Sequence, residues 1–119
     1  MQVNMRNILL ILGVLLLMSC GVLFTQNTTE RVARVIDGDT IVLKGGERIR
    51  FARIDTPELN TYNGRVAAKY LRNKIEGKYV TIIREGKGYY GRTIAEVYYK
   101  GINLNNDLLR KGYAKKYKK

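Results

Sequence analysis

The chain has 119 residues, of which 22 are Lys or Arg and 10 are Asp or Glu, so its formal net charge is +12. It has no histidine and one cysteine, Cys20, which excludes histidine general bases, Ser-His and Cys-His pairs, the usual zinc sites and an intramolecular disulfide. Acid–base chemistry then falls to carboxylates, Lys, Tyr or a metal-bound water, and the positive charge favours a polyanionic partner.

The first 24 residues predict a targeting segment. Arg6 precedes an apolar run, Ile8 to Met18, that fits the core of a secretory signal. Leu17-Met18-Ser19-Cys20 resembles a bacterial lipoprotein cleavage box, although the apolar character resumes after it and makes Ile8 to Phe24 a stretch of marginal length for a membrane anchor. Three alternatives stay open: a lipoprotein lipidated at Cys20, an uncleaved anchor, and a cleaved signal. All three export the domain from the cytoplasm.

Residues 25–30 are polar and predict a short tether before one small domain over residues 31–119. The domain opens with two short β-branched segments bounded by glycine, Arg31 to Ile36 and Thr40 to Leu43. A Gly-Gly hairpin turn then leads to a third segment, Arg48 to Ile54. The first half of the domain therefore predicts three consecutive strands.

A helix is predicted next, because apolar side chains recur four residues apart over Val66 to Ile75, and Gly77 is placed to stop it. Tyr79 to Glu85 and Arg92 to Tyr99 predict two more strands, and Asn105 is expected to cap a closing helix of about two turns. Five strands with a helix after the third, and a short C-terminal helix, predict a mainly β (α+β) domain with the order of an OB-type barrel.

Two acidic stretches, Asp37-Gly38-Asp39-Thr40 and Asp55-Thr56-Pro57-Glu58, carry the first candidate site residues. Asp39, Asp55 and the Thr56 carbonyl are hard oxygen donors suited to Ca²⁺, with waters and a substrate phosphate completing the shell. Glu58 remains free to take a proton from an attacking water. Alternatively, both stretches are ordinary surface turns, because Asp-Gly and Thr-Pro are common turn dipeptides.

The hairpin register decides whether these two stretches meet. A turn at the Gly-Gly pair places Asp39 opposite about Ala52, so Asp55 lies about three residues further on, or ~10 Å along a straight strand. A bend or bulge must close that gap. We therefore expect an irregularity in the third strand.

Arginines supply the positive charge of the candidate site. Arg50 and Arg53 lie on opposite faces of the third strand, and alternation alone does not decide which one enters the site. Arg92 follows Gly91 at the start of a strand, where a side chain can project over a barrel mouth. Two guanidiniums can bind phosphoryl oxygens and offset the charge that grows in the transition state; the alternative is ordinary surface charge.

The last ten residues, Arg110 to Lys119, hold six cations interleaved with Tyr113 and Tyr117. Phosphates bind cations and bases stack on aromatic rings, so this tail suits single-stranded nucleic acid. The alternative is a lysine-rich surface that only keeps the protein soluble.

Taken together, these motifs resemble the staphylococcal nuclease (thermonuclease) family over residues 31 to about 115. The resemblance rests on Val35-Ile36-Asp37-Gly38-Asp39-Thr40, Arg50, Ile54-Asp55-Thr56-Pro57-Glu58, Tyr90-Gly91-Arg92, Ala95 and Asn105 in that order. It implies an OB-fold, Ca²⁺-dependent nuclease that acts on DNA and RNA and leaves 3′-phosphate ends.

The resemblance also implies a role for each matching residue. Asp39 and Asp55 would be the carboxylate ligands of the metal and Thr56 its carbonyl ligand, with Asp37 as a supporting acid behind them. Glu58 would be the general base or position the water. The remaining three residues would bind the phosphate: Arg50 and Arg92 at the pentacoordinate phosphorus and Tyr90 at a substrate phosphate.

The sequence departs from the family pattern at four places. Gly88 stands where an acid is frequent, and Tyr89 stands where the type member has a phosphate-binding lysine. The segment Leu59 to Gly64 is shorter than the type member's loop, and the last helix of the type member has no counterpart before Lys119. These departures concern substrate affinity, the choice of endo or exo cleavage, and stability.

A second hypothesis is a non-catalytic OB module that binds single strands through the basic tail and the tyrosines. A module that only binds has little reason to retain all five charged residues of the site: Arg50, Arg92, Asp39, Asp55 and Glu58. Their joint presence favours the nuclease.

Overall fold

The computed structural model describes residues 27–117. Its strands are β1 (Asn27–Asp37), β2 (Thr40–Leu43), β3 (Arg48–Phe51), β4 (Ile54–Asp55), β5 (Tyr79–Lys87), β6 (Thr93–Tyr99), β7 (Ile102–Asn103) and β8 (Lys115–Lys116). Its helices are α1 (Tyr62–Ile75), α2 (Leu104–Arg110) and a single 3₁₀ turn, Tyr89–Gly91.

Five strands form a closed barrel in the order β3-β2-β1-β5-β6. The barrel closes through a parallel pairing of β3 with β6, in which Ile49 lies opposite Thr93 and Phe51 opposite Ala95. The interior is filled by the inward side chains of these strands, and α1 and α2 add apolar residues such as Leu71, Ile75 and Leu108. The predicted α+β OB-type barrel, with a helix after the third strand and a short C-terminal helix, is confirmed.

Helix α1 begins four residues earlier than the apolar spacing alone indicates. Thr61 caps it, because its hydroxyl accepts a hydrogen bond from the Gly64 amide at 3.0 Å. The helix ends at Ile75, and Gly77 follows with a φ of +78°, a conformation that glycine adopts readily. The first turn of α1 is therefore fixed by a polar cap rather than by apolar packing.

The predicted tether over residues 25–30 is wrong for its last four positions. Asn27 to Glu30 belong to β1 and pair with Ile83 to Val80 of β5. The polar composition indicated a linker, but an exposed strand accommodates polar side chains once a partner strand satisfies its backbone. The targeting segment predicted over residues 1–24 lies outside the described residues. Neither helix within residues 27–117 is long and apolar enough to cross a membrane.

The third predicted strand does not run straight to Ile54. It stops at Phe51, and Arg53 adopts a positive φ of 64°, after which Ile54 and Asp55 form a separate short strand that pairs with Lys115–Lys116. The bend that the spacing of the acidic stretches required is therefore present.

Asn105 does not cap the closing helix. Asn103 does so, accepting a hydrogen bond from the Asn106 amide at 3.1 Å. The Asn105 side chain is buried and joins two barrel strands to the bend, since it accepts from the Val97 amide at 3.1 Å and donates to the Ala52 carbonyl at 3.0 Å. Both asparagines suit a cap, and only the tertiary structure assigns one of them to the barrel.

Candidate active site

A cleft of about 470 Å³ lies at the end of the barrel where the β1–β2 turn, the end of β3, the segment after β4 and the β5–β6 connection meet. All eight residues predicted for the site line it: Asp37, Asp39, Arg50, Asp55, Thr56, Glu58, Tyr90 and Arg92. Pro57 and Arg48 complete its wall. Residues from four separate segments of the sequence therefore face one volume.

The β1–β2 turn is built around Gly38, which allows a close approach to its neighbours. A Cβ atom at this position would lie 2.8 Å from both the Ala67 and the Thr56 side chains. The Asp39 amide donates to Asp37 Oδ1 at 3.0 Å, which fixes the turn internally. Gly38 thus lets the turn pack directly on α1 and on the segment after β4.

Asp39 connects the two acidic stretches. Its Oδ2 accepts from the Thr56 amide at 2.9 Å and from the Thr56 hydroxyl at 3.0 Å, and the residue is only 6% exposed. The backbone of Asp39 pairs with Phe51, whose amide donates to the Asp39 carbonyl at 2.9 Å. The bend at Arg53 then returns the chain so that Thr56 reaches Asp39, although a straight strand would carry it away.

Arg50 is the arginine that enters the cleft. Its guanidinium lies 3.4 Å from Asp39 Oδ2 and 3.2 Å from Asp55 Oδ1, and it also donates to the Phe51 carbonyl at 3.0 Å. Arg53 points away from the cleft and pairs with Glu85 and Glu96 on the barrel exterior. The alternation of side chains along the strand did not decide between Arg50 and Arg53. The bend between them directs Arg50 into the cleft and Arg53 to the exterior.

The oxygen donors of the cleft fit a hard divalent cation in part. Within residues 27–117, no three acidic, cysteine or histidine side chains converge closely enough to chelate an ion by themselves. Asp39 and Asp55 converge on the same guanidinium, and Thr56 follows Asp55 directly. Two carboxylates and a carbonyl are a donor set that leaves most coordination positions to water and substrate oxygens.

Asp37 stands behind Asp39 in the same turn. Burial, and then repulsion from the nearby Asp39 carboxylate, together raise the pKa of Asp37 to about 6. The β1–β2 turn therefore carries two neighbouring carboxylates, and within the described chain Arg50 is the one cation that pairs with them.

Glu58 is held by its backbone and free at its side chain. The Thr61 amide and hydroxyl donate to the Glu58 carbonyl at 3.0 and 2.6 Å, and any side chain at Gly64 would collide with that carbonyl. Within residues 27–117 the Glu58 carboxylate has no hydrogen-bond or ion-pair partner. The loop backbone is hydrogen-bonded to the start of α1, and the Glu58 carboxylate is available to a ligand in the cleft.

Tyr90 and Arg92 border the cleft from the β5–β6 connection. Tyr90 is 85% exposed and has a φ of +61°, and Gly91 follows with a φ of +71°. The Arg92 guanidinium donates to the Tyr89 carbonyl at 3.2 Å and lies 5.6 Å from the centre of the Tyr90 ring. This tight turn projects an aromatic ring and a guanidinium together over the opening.

Sequence reasoning missed Arg48, and it did not place Tyr117 beside Arg50. Arg48 lines the cleft two residues before Arg50, and the period of two along β3 was the signal that could have identified it. A second cleft of about 440 Å³ adjoins the first and shares Arg50 and Arg92 with it. Tyr117 lines this second cleft, with the Arg50 guanidinium 5.9 Å from its ring centre.

The predicted nucleic-acid tail is partly built into the fold. Tyr113 stacks on Tyr70 with ring centres 4.3 Å apart, and Lys115–Lys116 form β8 beside β4. Tyr113 is therefore a packing residue, and the expectation that its ring stacks on bases is wrong. Tyr117 remains exposed.

Comparison with known proteins gives a consistent result. A family described as staphylococcal nuclease homologue matches residues 48–119. The chain is 37% identical over 97 residues to an uncharacterized endonuclease of Haemophilus influenzae, covering 78% of this chain and 54% of that protein. It is 38% identical over 88 residues to an uncharacterized endonuclease of Escherichia coli, covering 71% and 58% of the two chains.

The chain is also 37% identical over 95 residues to the thermonuclease of Staphylococcus intermedius, covering 71% of this chain and 56% of that protein. It thus spans little more than half the length of the curated relatives it matches. The match lies in the part of the chain that forms β3 onward and includes six of the eight predicted site residues.

Proposed function

The chain belongs to the staphylococcal nuclease family, and from that premise we propose that it is a Ca²⁺-dependent nuclease that hydrolyses phosphodiester bonds of DNA and RNA and leaves 3′-phosphate ends. Nuclease chemistry and a nucleic-acid substrate follow at the level of the family. The observation that carries the proposal is the convergence of four carboxylates and three arginines on one open cleft.

The family is generally metal-dependent, and Ca²⁺ is our choice of metal. Asp39, Asp55 and the Thr56 carbonyl would hold it, because these three residues line the cleft together and carboxylate and carbonyl oxygens are hard donors that suit this ion. A bound Ca²⁺ would supply positive charge to the non-bridging oxygens of the scissile phosphate. Asp37 would support Asp39, because its carboxylate accepts a hydrogen bond from the Asp39 backbone amide and so fixes the turn.

Arg50 and Arg92 would bind the phosphate from two sides. Arg50 is oriented by Asp39, Asp55 and the Phe51 carbonyl, so its guanidinium needs little reorganisation to donate to a phosphoryl oxygen. Within residues 27–117, the Arg92 side chain makes one hydrogen bond, from Nε to the Tyr89 carbonyl. Both charges would stabilise the additional negative charge of the pentacoordinate transition state. Tyr90, exposed beside Arg92, would contact a neighbouring substrate phosphate.

Glu58 would act as the general base. Its carboxylate accepts a proton from water as the water oxygen forms a bond to phosphorus, and the bond between phosphorus and the 5′ oxygen breaks. The 5′ oxygen leaves and takes a proton from solvent, so the phosphate stays on the 3′ side. Hydrogen bonds from Thr61 to the Glu58 carbonyl hold the backbone of this residue at the edge of the cleft.

We also propose that the domain works outside the cytoplasm on single-stranded nucleic acid in preference to duplex. The composition of residues 1–24 supports export, followed by lipidation of Cys20, retention of an N-terminal membrane anchor, or secretion. Exposed Tyr90 and Tyr117 beside arginines support a strand whose bases can stack on rings.

The test incubates the purified protein with end-labelled single-stranded DNA, with Ca²⁺ in one arm and a Ca²⁺ chelator in the other. Cleavage in the Ca²⁺ arm alone, with products whose mobility changes on removal of a 3′-phosphate, is the expected result. Salt-sensitive binding without cleavage in either arm would instead identify a non-catalytic OB module that binds single strands.

A further inference from the structure

One face of helix α1 carries a row of exposed side chains outside the cleft. Tyr62, Arg65, Lys69 and Arg72 lie three or four residues apart, so they share one face of the helix. All four are exposed, and Tyr62 is 73% exposed. We call these four residues the α1 stripe.

The stripe is positively charged and largely unpaired. The sequence contains no acidic residue between Glu58 and Glu76. Within residues 27–117, Arg65 and Lys69 have no ion-pair or side-chain hydrogen-bond partner, and Arg72 has only a 3.7 Å approach to Glu76. Like charges four residues apart destabilise a helix, so this arrangement works against the stability of α1.

Two basic residues elsewhere show the contrast with neutralised charge. Lys74, on another face of α1, donates to Asp107, and Arg53 on the barrel exterior pairs with two glutamates. A surface that only keeps a protein soluble mixes both signs of charge. The stripe differs from that pattern, because its three cations have one acidic partner, Glu76, at 3.7 Å from Arg72. Its charge is complementary to that of a polyanion.

The stripe begins at the wall of the cleft. Thr61, the cap of α1, donates to the Glu58 carbonyl, and Gly64 packs directly against the same carbonyl. Arg65 is the next residue, and the helix carries Lys69 and Arg72 about 6 and 10 Å further along its axis. That length corresponds to about three nucleotides of a stacked strand at 3.4 Å each.

We propose that the α1 stripe binds the phosphates of the substrate strand where it leaves the cleft, as a second contact surface separate from the reacting phosphate. This inference rests on the proposed function, since the ligand is the nucleic acid that the cleft would cut. Tyr62 lies at the cleft end of the stripe and offers a ring for one base to stack on.

Binding tests the proposal without cleavage. The ligand is a fluorescein-labelled 20-nucleotide oligothymidylate in chelator, and the comparison is between Arg65→Gln/Lys69→Gln and the matched double variant Lys44→Gln/Lys100→Gln. Lys44 and Lys100 follow β2 and β6, at the strand ends away from the cleft. Both doubles remove two exposed charges, so net charge is matched.

The Arg65/Lys69 double loses two phosphate contacts, so it should bind about tenfold more weakly at 0.2 M salt. The negative slope of log K against log salt should become less steep by about 1.4. The Lys44/Lys100 double should leave the slope near that of the unchanged protein. Equal effects of the two doubles, or an unchanged slope in the stripe double, would overturn the proposal. A thermal unfolding curve for each double confirms that the barrel is intact.

Cleavage separates this inference from the proposed function. The stripe double should lower kcat/KM for the 20-nucleotide strand and leave cleavage of a dinucleotide unchanged, because a dinucleotide does not extend past the cleft. An unchanged protein that cuts neither substrate would refute the nuclease while leaving the binding comparison valid. If the stripe double loses binding to phosphatidylglycerol vesicles and keeps its affinity for the oligonucleotide, the stripe binds a lipid surface and our proposal is wrong.

Discussion

Asp39 and Asp107 are both buried aspartates, 6% and 2% exposed, but the charges around them differ in balance. Asp107, at α2, is surrounded by Lys74, Arg110 and Lys111 at 3.2, 2.9 and 3.5 Å. Three cations face one acid there, and no other carboxylate of the described chain is bonded to these cations.

Hydrogen bonding completes the Asp107 cluster. Burial alone would raise the pKa of Asp107, but the Tyr70 hydroxyl, donating at 2.6 Å, and the bonds from Lys74 and Arg110 outweigh it and lower the pKa to about 2. Each acceptor oxygen has a donor. A saturated cluster of this kind stabilises the fold and has no capacity left for a ligand.

The cleft has the opposite balance. Its acids outnumber its arginines, four to three, and one guanidinium is shared between Asp39 and Asp55 while the Glu58 carboxylate is bonded to nothing in the described chain. The pKa of Asp37 is raised, opposite in direction to that of Asp107. Both oxygens of Asp39 already accept hydrogen bonds, so the free acceptors of the cleft belong to Asp55, which pairs with Arg50, and to Glu58. Free acidic acceptors in an open cleft indicate a ligand.

The largest expected effect is on catalysis. Glu58→Gln should lower kcat roughly 10² to 10⁴-fold, because the general base is lost while the loop that holds it is unchanged. Arg92→Ala should lower it by roughly 10² to 10³-fold. Both should keep the free energy of unfolding within about 0.5 kcal/mol. Single-turnover cleavage and urea unfolding measure the two quantities.

Glu85→Gln is the matched control for Glu58→Gln, since Glu85 is an exposed carboxylate outside the cleft that pairs with Arg53. It should leave kcat unchanged. Full activity in both Glu58→Gln and Arg92→Ala would remove the assigned roles.

The second effect is on stability. Asp107→Asn leaves three cations without their acid, and we expect the free energy of unfolding to fall by about 2 kcal/mol, less than for a fully buried pair because Arg110 and Lys111 are largely exposed. Urea unfolding at pH 7 measures it, and kcat should not change. If Asp107→Asn lost activity and kept its stability, the Asp107 cluster would have a catalytic role, and the contrast between this structural cluster and the catalytic cleft would be wrong.

The third effect is a pH dependence. The folded pKa of Asp107, about 2, is below its ordinary value of 3.8, so the carboxylate stabilises the fold above pH 4 and this contribution is lost as the pH falls toward 2. The stability difference between the unchanged protein and Asp107→Asn should therefore be constant from pH 7 to 5 and shrink below pH 4. A difference that stays constant down to pH 2.5 would reject the ionic origin.

The smallest effect concerns the metal. Ca²⁺ at ten times its Kd should raise the free energy of unfolding of the intact protein by about 1.4 kcal/mol. Asp55→Asn should abolish this increment and change the metal-free stability little, because Asp55 is half-exposed. Asp107→Asn should retain the full increment. Thermal shift with and without Ca²⁺ measures all three, and an equal increment in Asp55→Asn would exclude Asp55 as a ligand.

Much of this arrangement could be predicted from local patterns. Strand β2 was predicted to the residue, since β-branched residues between glycine turns specify it. The hairpin register predicted Asp39 opposite about Ala52, one residue from its observed partner Phe51, and made a bend the condition for Asp39 to meet the Asp55 stretch. Strand limits and hairpin register can be predicted from the order of the segments and from the two-residue alternation of side chains along a strand.

Other features depend on distant contacts that the sequence does not reveal. Arg53 adopts a positive φ, and its side chain pairs with Glu85 of β5 and Glu96 of β6. An arginine gives no local sign of either feature. Asn103 and Asn105 are equivalent as predicted caps, and only the barrel strands distinguish them. Polar β1 residues were predicted as a tether because their partner strand lies 50 residues away.

The pairing of β4 with β8 has a consequence for how the protein becomes active. Asp55 pairs with Lys115, and Ile54 pairs with Lys116, 62 positions later in the sequence. This pairing therefore closes one of the longest loops of the chain. A polypeptide still emerging from the ribosome lacks β8, and we expect its Asp55 to be unaligned even where the barrel has begun to form. An aligned Asp55 would then require that β8 has been synthesised and has paired with β4, a step later than the synthesis of the five barrel strands.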